Sequence, residues 1–101
     1  MKIQAQAMQM AHAIKSRYLN FGLALSAAWK AVKLRRLMQA GQAAFAFTKK
    51  DGSIRHAVGT RSAGLIPAAF APKSPSQPTT LINFFDVEIQ QWRSCQPWQL
   101  N

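Results

Sequence analysis

Apolar positions recur at three- and four-residue steps through the first forty residues and at two-residue steps after them. Ile3, Ala7, Met10, Ala11, Ile14 and Tyr18 share one face of a helix predicted over residues 3 to 18. The alanine, methionine and glutamine around them favour helix. Asn20 is placed to cap a second helix, from Phe21 to about Gln39, because its side-chain oxygen can accept an orphaned backbone N–H. Leu23, Ala24, Ala27, Ala31, Leu34 and Met38 make the apolar face of that helix. Gly41 stands where a left-handed C-terminal cap belongs.

Beyond Gly41 the period becomes two. In AAFAFTKK, Phe45 and Phe47 fall on one side and Ala44, Ala46 and Thr48 on the other, which is strand alternation. Asp51-Gly52 is a hairpin turn signal, since glycine takes positive φ without a Cβ clash. SIRHAVGT is the returning strand, with Ile54, His56 and Val58 on one face and Arg55, Ala57 and Gly59 on the other. Residues 61 to 80 read as an irregular connection, because Pro67, Pro72, Pro75 and Pro78 remove ladder donors. Leu65, Ile66 and Phe70 are candidates to anchor it, and APKSPSQP reads as a surface loop. A third strand is predicted at TLINFFDV, a turn near Glu88 to Gln91, and a fourth strand from Gln91 to Gln96.

Charge changes the picture from a small fold to a small fold with anionic partners. The 101 residues carry 13 Lys and Arg against 3 Asp and Glu, a net charge of +10. Such a chain favours nucleic acid, nucleoprotein, an acidic protein surface or an anionic membrane. The distribution is uneven, because no acidic residue precedes Asp51. On the second helix Trp29, Lys33 and Arg36 share a side, with Lys30 beside them and Arg35 nearby. Two readings stay open there: a partly buried Trp29 beside solvated lysines, or an anion-binding face. The most apolar run, FGLALSAAWKAV, is 12 residues long and contains a lysine, so it is too short for a membrane span. A peripheral membrane helix ranks below a helix covering a core. Cys95 is the only cysteine, which excludes an internal disulfide and fits a reducing cytoplasm.

The stretches AWKAVKLRRLMQAG, AFAFTKKDGSIRHAVGT, LIP and FFDVEIQQWRSC together resemble the WYL_2 family of Sm-like, SH3-type small barrels. The matching positions are Phe45, Phe47, Lys49 or Lys50, Asp51, Gly52, Ile54, Arg55, Ala57, Gly59, Thr60, Leu65, Ile66, Pro67, Phe85, Asp86, Trp92 and Arg93. His56 departs from the pattern where an acidic residue is common, and Cys95 where an aromatic is common. The resemblance implies an α+β fold: a basic N-terminal helix or helix pair packed on a four- to five-stranded antiparallel small barrel. It implies an arm over residues 1–41 and a barrel over 42–101 within one compact domain. It also implies a small protein of bacteria, phages or mobile elements, and brings no catalytic residues with it.

Catalytic chemistry has little to work with. Asp51 is needed for a turn, and Asp86 and Glu88 flank another. His12 and His56 lack a cysteine or acid cluster that would make a metal site. No nucleophile elbow or phosphate-cradling Gly-rich loop is present, so the reading is a non-enzymatic protein with no cofactor, metal or small-molecule substrate. The candidate contacts to nucleic acid or an acidic partner are Lys30, Lys33, Arg35, Arg36, Lys49, Lys50, Arg55, Arg61 and Arg93, with Trp29 and Trp98 for stacking. Trp98 is the best candidate for an exposed aromatic. For Arg55 and Arg93 a structural alternative stays open, in which Asp86 pairs with one of them and locks the hairpins together. The expected function is binding of nucleic acid or a nucleoprotein complex. The alternative is an anti-CRISPR-like inhibitor of a host defence complex, docking on an acidic protein or on guide RNA.

Overall fold

In the computed structural model, which describes residues 2–62, 64–70 (Phe70 by its backbone alone) and 81–100, Asn20 begins the long helix as its sequence predicts. Its side-chain oxygen accepts the Leu23 N–H at 2.9 Å. Two helices come first, α1 (Ile3–Ile14) and α2 (Phe21–Ala40). Four strands follow, β1 (Gln42–Thr48), β2 (Ile54–Thr60), β3 (Ile82–Asp86) and β4 (Gln91–Cys95). Short 3-10 turns occupy Lys15–Arg17, Ala68–Phe70 and Pro97–Gln99.

The strands form one antiparallel sheet in the order β1-β2-β3-β4. β1 and β2 pair along their full length, from Gln42↔Thr60 to Thr48↔Ile54. The β2–β3 ladder holds only Gly59↔Asp86 and Thr60↔Phe85. The hairpin therefore leaves β3 beyond Gly59, and the sheet can curl. The chain end lies against β1 on its other edge: Leu100 bridges Phe47, and the Gln99 side-chain amide donates to the Thr48 carbonyl at 3.0 Å. That contact brings the far end of the sequence back to the first strand, as a small barrel requires.

The core has two textures. Between α1 and α2 it is made largely of alanine, with Ala7, Ala11, Ala24, Ala28 and Ala31 all buried, so the helix backbones can approach closely. Inside the sheet it is aromatic: Phe45 meets Phe84 edge-on at 4.9 Å, and Phe47 packs beside them. Met38 of α2 joins the two, because it reaches the sheet at Gly59. A Cβ on Gly59 would lie 2.7 Å from the Phe84 ring and 3.0 Å from the Met38 sulfur. No side chain fits there.

Several boundaries differ from expectation. α1 stops at Ile14 rather than Tyr18, and Lys15–Arg17 tighten into a 3-10 turn in which the Lys15 carbonyl accepts the Tyr18 N–H. Gly41 is not left-handed; its backbone is extended (φ 179°). The reason is that α2 is capped from outside. Arg61 N–H donates to the Met38 carbonyl at 2.9 Å, and the Thr60 hydroxyl donates to the Gly41 carbonyl. The buried face of α2 is also turned: Ala28 and Val32 are buried, while Leu23 is 48% exposed. α1 covers one flank of the helix and the sheet the other, which a single apolar stripe does not foresee. The predicted strands each lose a residue or two at their ends, and β1 gains Gln42. Of the expected anchors, Leu65 is exposed and Ile66 half-buried. The predicted surface loop APKSPSQP lies outside the described residues.

Candidate anion-binding site

The hairpin tip is built for its turn first. Asp51 accepts the Ser53 N–H at 2.9 Å and the Ser53 hydroxyl at 2.6 Å, and Gly52 takes φ 90°. The Ser53 hydroxyl and N–H, helped by nearby Lys49, hold the Asp51 carboxyl below its ordinary pKa. Lys49 and Lys50 are exposed at this tip, one strand length of about 20 Å from the end of α2. On α2 itself Lys30, Lys33 and Arg36 are exposed. The Lys33 ammonium lies 5.7 Å from the half-buried Trp29 ring, and Arg36 donates to the Gln6 side chain of α1 at 3.2 Å. Trp29 thus serves as a partly covered wall beside a lysine.

Other candidates are tied into the fold. Arg35 is half-buried and donates to the Leu81 carbonyl at 2.7 Å, fastening α2 to the start of β3. Burial, together with the nearby Arg61 charge, holds its pKa below that of a free arginine. Arg61 donates to the Asn83 carbonyl at 2.7 Å and lies 5.9 Å from the Trp92 ring. Trp98 departs from the expected exposed aromatic: it is half-buried against the core, and the Arg17 guanidinium sits 3.6 Å from its ring centroid. The stacking position is taken by the chain's own arginine. Nothing near Trp98 in sequence signals this, since Arg17 is on the far side of the molecule's topology.

Arg55 and Arg93 are brought together. Phe47↔Arg55 and Phe84↔Arg93 are register pairs, so both arginines start from the aromatic face of the sheet. Asp86, 1% exposed, lies between them with one oxygen 3.8 Å from the Arg55 Nη2 and 3.8 Å from the Arg93 Nε. Its other oxygen accepts the Glu88 and Ile89 N–H groups of the β3–β4 turn, at 3.0 and 3.4 Å. The sequence suggested that Asp86 pairs with one arginine; it pairs with both.

Elsewhere the chemistry is quiet. Burial pushes the Cys95 thiol up to about 12 despite the nearby Arg35 charge, which leaves it a small apolar core residue. Among the described residues there is no group of three or more potential metal ligands. Among them too, no helix is long and apolar enough to cross a membrane.

Helices on a curled antiparallel sheet closed by its own C-terminal segment define a small barrel of the SH3 type. The chain belongs to the WYL_2 family, an Sm-like SH3 β-barrel fold, whose family model matches residues 31–100. That span takes in the C-terminal part of α2, all four strands and the closing turn. No curated protein and no solved structure matches the chain.

Proposed function

We propose that this protein is a non-enzymatic binder of nucleic acid, bare or within a nucleoprotein complex, and that exposed lysines make its phosphate contacts. The observation that carries the reading is the placement of charge. Lys30 and Lys33 are exposed on a helix whose whole arm contains no acidic residue, and Lys49 and Lys50 are exposed at the hairpin tip. A polyanion longer than a small metabolite is the natural complement of cations spread over α2 and the β1–β2 turn. Lysine contacts to phosphate act as point charges and read no bases, so little sequence preference is expected.

A second reading has its own observation. Leu23 and Leu37 are 48% and 60% exposed and fall on the same side of α2 as Lys30 and Lys33. A mixed basic and apolar stripe also suits an acidic protein surface, as the inhibitor of a host defence complex would need. Fluorescence anisotropy with single- and double-stranded oligonucleotides, in about 50 and 200 mM salt, separates the two. Binding that weakens steeply with salt is expected, with a log–log slope of about −0.9 per phosphate on duplex DNA. Absence of binding at low salt, with a host partner retained after nuclease treatment, overturns the nucleic-acid reading in favour of the second.

A further inference from the structure

The Arg55–Asp86–Arg93 cluster is unbalanced. Two guanidinium groups face one carboxylate, leaving one positive charge in a half-buried place. Asp86 cannot move to serve either arginine better, because its second oxygen is held by two turn N–H groups. Both contacts, at 3.8 Å, are longer than a charge-assisted hydrogen bond of about 2.8 Å. The Nε atoms of both arginines are buried without a hydrogen-bond acceptor. Yet the two side chains keep 28% and 31% of their surface exposed, so the cluster is open to solvent from one side. The cluster adjoins a gap in the sheet: from Ile54 to Ala57, β2 has no β3 partner, and Arg55 lies in that unpaired stretch.

We propose that Arg55 and Arg93 form a clamp that seats a single phosphate group at the split between β2 and β3. A phosphate offers several oxygens to two converging guanidinium forks at once, where Asp86 offers one. It would also neutralise the residual charge. The clamp extends the nucleic-acid reading, because it names a place where one phosphate is held by geometry rather than by general charge. A free nucleotide carries the same group.

The test uses the full chain labelled with nitrogen-15, following the arginine Nε–Hε resonances. Titration with inorganic phosphate should move the Arg55 and Arg93 signals together and saturably, and sodium chloride at matched ionic strength should not. Asp86→Asn, which raises the cluster from one to two net charges, should tighten phosphate several-fold. Arg93→Lys, which keeps the charge but loses the fork, should weaken it about tenfold. Alanine at Lys30, Lys33, Lys49 and Lys50 together should leave phosphate at the clamp unchanged, so loss of nucleic-acid binding in that variant does not touch this result. Competition assigns the source: a mononucleotide as good as an oligonucleotide indicates a free nucleotide, and a far better oligonucleotide indicates a strand. Resonances that stay still at tens of millimolar phosphate, or move equally with chloride, overturn the clamp even where the lysines bind nucleic acid.

Discussion

On α2, Lys30 and Lys33 are exposed, and no acidic residue occurs anywhere in the arm. In the barrel, Arg55 and Arg93 turn toward the same buried carboxylate and Arg61 holds a backbone carbonyl, and at the seam Arg35 of α2 reaches across to the Leu81 carbonyl. The two regions use positive charge differently, and residue type follows use. Lysine, a hydrated point charge on a flexible stem, stays in solvent; arginine, a rigid fork with five donors, is built into the fold. The arm also packs on alanine while the barrel packs on phenylalanine. Each buried phenylalanine contributes about 1.5–3 kcal/mol, far more than an alanine, so most of the stability should reside in the barrel.

The sharpest contrast concerns the barrel interior. With its pKa near 12, Cys95 holds on the order of a thousandfold less thiolate at pH 8 than a free cysteine. Iodoacetamide should label the native protein at least about tenfold more slowly than the urea-unfolded chain, because the higher nucleophilicity of a high-pKa thiolate offsets only part of that deficit. Equal rates would mean that the barrel is open.

Next comes the ion cluster. Asp86→Ala leaves two guanidinium groups without their carboxylate and removes the acceptor of the β3–β4 turn, and should cost about 3 kcal/mol in urea denaturation. Asp86→Asn, which keeps that acceptor, should cost less. A loss under about 0.5 kcal/mol for Asp86→Ala would place the arginines with the lysines as solvated charges. Gly59→Ala forces a Cβ against Phe84 and Met38 and should cost about 1–3 kcal/mol, whereas Gly41→Ala, with nothing within 4 Å, should be within about 0.5 kcal/mol of neutral. Alanine at Lys30, Lys33, Lys49 or Lys50 should change stability least, by no more than about 0.5 kcal/mol each.

The elements were legible where local chemistry governs them. Asn20 caps α2, Asp51-Gly52 turns the hairpin, and Phe45 and Phe47 alternate inward. The family resemblance stated from the motifs matches the family found. What escaped was decided by distant contacts. Gly41 looked like a left-handed cap, but Thr60 and Arg61, twenty positions later, cap the helix instead. Trp98 looked exposed because Arg17 could not be seen beside it. The sequence singled out Arg55 and Arg93 as partners for Asp86 but offered it to only one of them; the register of β1–β2 and β3–β4 sends both to the same aspartate.

That the exposed lysines make most of the phosphate contacts is tested most directly by the salt dependence of duplex binding in two proteins, wild type and the fourfold alanine variant at Lys30, Lys33, Lys49 and Lys50. If each of those lysines contacts a phosphate, the log–log slope should become shallower by about 3.6 in the variant, with its thermal midpoint nearly unchanged. An unchanged slope and affinity would contradict the account, and would move the binding surface away from those four lysines.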